Sequence, residues 1–142
     1  MFKKALACVA LAAATLCGTA HAQTYPTKPV TIVVPFSPGG ATDIMSRLLA
    51  ERLNKRLGQP VVVENKPGAG TMIASDYVAK APADGYTLLV AASSLGIAPS
   101  LYKKVNYDPI KDFAPISQVA SVVHVLVVHP SIPAKNVGEL VT

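Results

Sequence analysis

The sequence predicts an α/β fold, a parallel sheet flanked by helices. Short β-branched runs alternate with helical stretches in the order strand, helix, strand, helix, strand, and the connections are only a few residues long. That order implies parallel strands linked by helical crossovers. Glycine- and proline-rich turns follow the strands, as expected where a strand hands over to a helix.

Residues 1–22 read as an export signal. Lys3 and Lys4 precede an apolar run over residues 5–16, and Ala20-His21-Ala22 is a small-x-small cleavage pattern, which makes Gln23 the first mature residue. The run is too short to cross a bilayer core, which needs about 20 residues. Both cysteines, Cys8 and Cys17, lie inside this leader. The mature part therefore has no disulfide, no cysteine-ligated metal and no cysteine nucleophile, and must rest on its hydrophobic core. Without the leader lysines the chain holds 11 basic and 8 acidic residues. The excess is mild, and no basic stripe is interleaved with aromatics, which argues against nucleic-acid binding.

Residues 30–34 form a short β-branched run, read as a buried strand stopped by Pro35. Ser37-Pro38-Gly39-Gly40 is a turn. A helix is expected over residues 42–57, with Thr42 as N-cap and Asp43 in the positive first turn. Met45, Leu49, Leu53 and Leu57, with Ile44 and Leu48 beside them, predict its apolar face, and Gly58 its stop. Residues 61–63 are a second strand. A loop over residues 65–70 leads to a second helix over 71–80, with Ile73, Tyr77 and Val78 inward. Ala83-Asp84-Gly85 turns the chain into a third strand over 86–91, and a short helix is expected over 99–103. A polar turn over 106–112 precedes two extended segments, 113–120 and 122–128. A last helix begins at Val137, and the chain ends at Thr142 within it, so the sequence reads as a piece of a larger protein.

Three loops converge on one sheet edge: residues 36–42, 66–71 and 93–96. Ligands of open α/β sheets sit at the carboxyl ends of the strands. The first two loops open helices, whose exposed N–H groups favour an anion such as a carboxylate, and Ser93 and Ser94 add hydroxyl donors. Lys66 is the one cation in these loops, so capture by neutral amides is expected, as suits a small, reversibly held solute. Asp43 is read first as a helix-start residue and second as a group facing a ligand amine or water.

Other chemistries find no support. Gly68-Ala69-Gly70 opens a dinucleotide fingerprint, but Ile73 stands at its third glycine position. No phosphate-binding Gly-x-x-x-x-Gly-Lys motif and no Gly-x-Ser-x-Gly elbow is present. His124 and His129 are five apart in an extended segment and face opposite sides, and His124 is expected to be a packed or edge histidine. No metal, cofactor or catalytic residue is expected.

Longer runs of residues resemble a known family. Tyr25-Pro26-Thr27-Lys28-Pro29-Val30-Thr31-Ile32-Val33-Val34-Pro35-Phe36, followed by Pro38-Gly39-Gly40 and Asp43, looks like the opening of the TctC/Bug family. These are periplasmic solute-binding receptors of tripartite tricarboxylate transporters. The resemblance continues through Leu57-Gly58-Gln59-Pro60 to Pro67-Gly68-Ala69-Gly70, Ala83-Asp84-Gly85-Tyr86, Leu101-Tyr102-Lys103-Lys104, Tyr107-Asp108-Pro109 and Asp112-Phe113-Ala114-Pro115-Ile116.

The resemblance implies a two-lobed periplasmic binding protein fold of type II. Residues 23–118 would be the N-terminal part of the first lobe, and 119–142 the crossover into the second. It implies capture of a small organic carboxylate, with membrane components of the transporter as partners and a monomeric, non-enzymatic receptor in the periplasm. Carried onto this chain, the ligand-binding residues are Phe36, Ser37, Pro38, Gly39, Gly40, Ala41, Thr42 and Asp43 of the first loop, Gly68, Ala69, Gly70 and Thr71 of the second, and Ser93 and Ser94 of the third. One departure stands out: the family often has Gly and Asn where this chain has Thr71 and Met72. A small α/β enzyme using the same loops as an oxyanion site, and a remnant that binds nothing, are the competing readings.

Overall fold

The computed structural model describes residues 25–141, so the leader, its cleavage after Ala22, and Thr142 lie outside the described residues. Three strands form one parallel sheet: β1 (Val30–Val34) in the centre, β2 (Val61–Asn65) on one side and β3 (Thr87–Leu89) on the other. Val30 pairs with Val61 and Val34 with Asn65, while Thr31 to Val33 match Thr87 to Leu89. A central strand of a parallel sheet is covered on both faces. Accordingly Val30, Ile32, Val33 and Val34 are all but inaccessible.

Helix α1 (Ala41–Leu57) packs on β1 and β2. Ile32, Val34 and Ala50 form the buried cluster, with Phe36, Leu49, Leu53, Val61, Val63, Leu88 and Val90 around it. Helix α2 (Met72–Ala79), entered through a 3-10 turn at Ala69–Thr71, packs on β1 and β3. Helix α3 (Ser94–Leu101) follows the third strand, and α4 (Val137–Val141) comes last. The expected order and the parallel sheet with flanking helices are present.

The details differ in instructive ways. Helix α1 starts at Ala41 with Gly40 as its N-cap, so Thr42 lies inside the helix and caps nothing. Its buried line is Asp43, Ser46 and Ala50, flanked by half-buried Met45, Leu49, Leu53 and Leu57, while Ile44 and Leu48 are exposed. The apolar arc in the sequence is wider than the strip that meets the sheet. In α2 the inward residues are Ala74 and Ser75, and Ile73 and Tyr77 face out. Close approach of helix to sheet selects small side chains there, which a reading weighted by hydrophobicity passes over.

Helix α3 begins at Ser94, five residues before the expected start at Pro99. Pro99 sits inside it, where proline removes the N–H that would have bonded the Leu95 carbonyl. The Tyr107 hydroxyl takes that N–H's place, donating to the Leu95 oxygen at 3.3 Å. The polar turn over 106–112 is closed by Asp108, whose carboxylate accepts the N–H groups of Ile110 and Lys111. The segments 113–120 and 122–128 pair with no strand among the described residues. The second is exposed throughout, with Val123 at 86% and Val127 at 79%, and His124 is exposed rather than packed.

Candidate functional site

The carboxyl ends of the three strands lie side by side because all three run parallel; the first two open into the loops singled out above, whereas of the third, read as 93–96, Ser93 is an N-cap and Ser94 to Gly96 form the first turn of α3. The first loop, after β1, carries Phe36, half-buried against the core, then exposed Ser37, Pro38, Gly39, Gly40 and Ala41, half-buried Thr42 and buried Asp43. Four exposed residues preceding the first turn of α1 place its N–H end at the sheet edge, where helix geometry leaves donors without intrahelical acceptors.

Asp43, 3% exposed, fixes this loop. Its carboxylate accepts the Gly39 N–H at 2.9 Å, Arg47 Nε at 3.0 Å and Asn65 Nδ2 at 2.9 Å, and Arg47 Nη2 lies 3.0 Å from its second oxygen. The Arg47 hydrogen bond, then those from Gly39 and Asn65, hold the carboxyl well below the usual aspartate range. Asn65 is the other half of the brace. Its amide nitrogen also donates to the Phe36 carbonyl at 3.0 Å, and its oxygen accepts from Arg47 Nη2 at 3.0 Å. The end of β2 is thereby tied to the first loop and to α1. The helix-start role read for Asp43 holds, with the carboxylate fully engaged by protein groups.

Reasoning from the sequence missed Arg47 and Asn65. The available signal was an asparagine ending a β-branched strand and an arginine four residues after an aspartate, a spacing that puts both on one helix face.

In the second loop, Lys66 is a spent cation. Its ammonium pairs with Glu64 at 2.7 Å and lies 4.2 Å from the centre of the Tyr77 ring. The Glu64 carboxylate raises its pKa, which keeps the charge engaged. The following residues are unusual. Gly68, Ala69, Gly70 and Thr71 all have positive φ, at 124°, 46°, 60° and 80°. Gly68, Ala69 and Gly70 are exposed, whereas Thr71 is 7% exposed. An L-residue in the left-handed region costs roughly 1–2 kcal/mol, and a β-branched one is an outlier. Thr71 is anchored on three sides: its N–H bonds the Gly68 carbonyl at 3.0 Å, its carbonyl accepts the Ser75 hydroxyl at 3.1 Å, and its hydroxyl donates to Ser94 Oγ at 2.9 Å.

That last bond joins the second loop to the third. Ser93 is exposed as the N-cap of α3, its side chain making no cap bond, and Ser94 is half-buried in the first turn. Two polar bridges thus connect the loops, Asn65 between the first and second and Thr71–Ser94 between the second and third. The loops present neutral donors, since Arg47 and Lys66 are paired to Asp43 and Glu64, while Lys104 stands in the concavity that Ala69 also borders.

An open concavity of about 200 Å³ lies elsewhere, between Met72, Ile73 and Asp76 of α2 and the 104–106 segment, and only its Ala69 belongs to the three loops. Among the described residues, no group of three His, Cys, Asp or Glu side chains is placed to hold a metal ion, and no helix is long and apolar enough to cross a membrane.

The profile of the tripartite tricarboxylate transporter family receptor matches residues 45–142. Protein BugT of Bordetella pertussis is 44% identical over 133 residues, which is 92% of this chain and 41% of that protein. The chain thus spans about two fifths of the length of the curated relatives it matches. Among solved structures, an R. palustris protein with adipate superposes with a TM-score of 0.70 at 42% identity, covering 82% of this chain and 40% of that one. MatC from Rhodopseudomonas palustris with bound malate gives 0.61 at 46% identity, covering 64% and 31%.

Proposed function

Because this chain belongs to the tripartite tricarboxylate transporter receptor family, we propose that it forms part of a periplasmic receptor that captures a small organic carboxylate for such a transporter. The observation that carries this reading is the convergence of three strand ends into loops rich in neutral donors, stitched together by Asn65 and by the Thr71–Ser94 bond. A carboxylate is matched by backbone N–H groups at helix starts and by hydroxyls, without a guanidinium clamp. The relatives solved with adipate and with malate support this ligand class.

In this reading the ligand site is built from Phe36 to Asp43, Gly68 to Thr71, and Ser93 and Ser94, with Asp43 and Thr71 bracing the loops from within, and the role is capture and release without turnover. Residues 23–118 supply part of one lobe, and 119–142 the crossover and start of the next. Residues 1–22 direct export and are removed after Ala22, and the receptor acts as a monomer that meets the membrane components of its transporter.

The test is a titration of residues 23–142 with malate, adipate and citrate, followed by amide NMR shifts and calorimetry. Saturable shifts centred on Gly40, Gly70 and Ser94 are expected, since these mark the three loops. Equal response to inorganic phosphate, or no saturable shift with any carboxylate at millimolar concentration, overturns the reading.

A further inference from the structure

We propose that Thr71 is a positioning residue which acts through Ser94: it donates to the Ser94 hydroxyl and so turns the Ser94 proton into an oriented donor for a carboxylate oxygen where the second and third loops meet, a role that rests on the receptor reading above.

The backbone is the first ground. Thr71 holds φ at 80°, immediately after Gly68 and Gly70, which occupy positive φ without a side-chain penalty. Between the glycines Ala69 also holds positive φ, at 46°, but carries only a methyl group. At position 71 the same conformation carries a β-branched side chain, so the hydroxyl must supply something a glycine could not.

The hydrogen bonds are the second ground. The Thr71 N–H and carbonyl are bound to Gly68 and Ser75, which fixes the residue from both sides. Its 7% exposure leaves the side chain little room for another rotamer, and its hydroxyl reaches Ser94 Oγ at 2.9 Å across 23 positions of sequence. A serine hydroxyl has one proton and two acceptor lone pairs. With a lone pair taken by Thr71, the Ser94 proton is available to a second partner, and a donor that already accepts a hydrogen bond is polarised toward giving its own. Ser94 is the first residue of α3, eight residues long, and the N–H groups that follow it, of Leu95 and Gly96, already bond the Ala92 and Ser93 carbonyls, which leaves the offering of a donor at this point to the hydroxyl. Lys66, the cation of the second loop, is held by Glu64, so a carboxylate here meets neutral donors.

Four variants of the chain separate positioning from a purely structural staple: Thr71→Val, Thr71→Gly, Thr71→Ser and Ser94→Ala. Each is titrated with malate and adipate by NMR and unfolded thermally. Thr71→Val and Ser94→Ala are expected to weaken binding about tenfold each, the loss of one hydrogen bond to a charged group. The double variant should lose little more than either alone, because both break one relay. Thr71→Ser, which restores the hydroxyl, recovers most of the loss. Thr71→Gly relieves the left-handed strain and is expected to unfold at a higher temperature than Thr71→Val while binding as weakly. Parent-like affinity in Thr71→Val, additive losses in the double variant, or affinity that follows unfolding temperature through the Gly variant overturns the positioning role and leaves the receptor reading standing. A parent chain that binds neither acid overturns both. Ser94→Ala, at a half-buried helix start, keeps the comparison decisive if a Thr71 variant fails to fold.

Discussion

The Tyr107 hydroxyl donates to the Leu95 carbonyl, an oxygen left without its helical partner because Pro99 stands four residues on. Tyr107 is buried, and its ring meets Phe113 edge-on with centroids 5.8 Å apart. A tyrosine from the turn region thus repairs a proline fault in α3 and anchors the 107–113 stretch to the domain. Removing the hydroxyl alone, in Tyr107→Phe, is expected to cost roughly 0.5–1 kcal/mol, since the bond is long. In a Pro99→Ala background the helix supplies its own N–H to Leu95, and the same substitution should cost less. A double-mutant cycle in urea measures the difference, and equal costs in both backgrounds would exclude the compensation.

The Asp43 brace predicts a pH dependence with a definite sign. The Arg47, Gly39 and Asn65 hydrogen bonds lower the folded-state pKa of Asp43 below its ordinary 3.8. A group depressed in this way contributes stability that is fully present above the unfolded value and is lost as pH falls toward the folded one. Asp43→Asn should therefore destabilise the chain most at neutral pH, and the gap to the parent should close progressively below about pH 4. Urea midpoints taken from pH 7 to pH 2 test this, and a gap that stays constant across that range would show that the charge of Asp43 contributes nothing.

The core offers a calibration. Ile32 is 1% exposed at the centre of the middle strand, packed against Val34 and Ala50. Ile32→Val is expected to cost about 0.5–1.5 kcal/mol and Ile32→Ala about 2–5 kcal/mol. The larger loss is comparable to the whole stability of a small domain, so the alanine variant should be largely unfolded at 37 °C by circular dichroism.

Two glycines of the second loop should respond differently to alanine. At Gly68, φ is 124°, a region closed to L-residues, and an added Cβ would lie 2.7 Å from Ile73 Cδ1. At Gly70, φ is 60°, within the left-handed well, but the Cβ would lie 2.5 Å from the Tyr102 hydroxyl oxygen. Tyr102 is exposed and can swing away. Gly70→Ala is expected to cost about 1 kcal/mol and Gly68→Ala about 2–3 kcal/mol, read from denaturant midpoints. Trimming the neighbour in Gly70→Ala/Tyr102→Ala should recover little, because the backbone conformation sets most of the cost.

The elements were legible where local chemistry decides them. The β-branched run of β1, Gly58 closing α1 in the left-handed conformation and the Asp108 turn each follow from a few consecutive residues. The helix faces were legible only in part. Periodicity marks which positions are apolar, but the packing of the helix on the sheet turns Ala74 and Ser75 inward and leaves Ile73 and Tyr77 outside. The three-loop edge was readable because parallel strands necessarily put their carboxyl ends together. Its internal wiring was not, since no spacing rule links Asn65 to Phe36 or Thr71 to Ser94.

By itself, then, the sequence determined the order of strands and helices, the loops they feed and the resemblance to a receptor family, because these depend on residues close together in the chain. The folded structure decided how the polar groups at that edge are wired. Asp43 and Arg47 neutralise each other, Lys66 is absorbed by Glu64, and a strained Thr71 reaches a serine 23 residues away. The two ion pairs are close in sequence, but the Thr71–Ser94 bond and the Asn65 brace on Asp43 arise only when separate segments are brought within about 3 Å, the range over which a hydrogen bond acts.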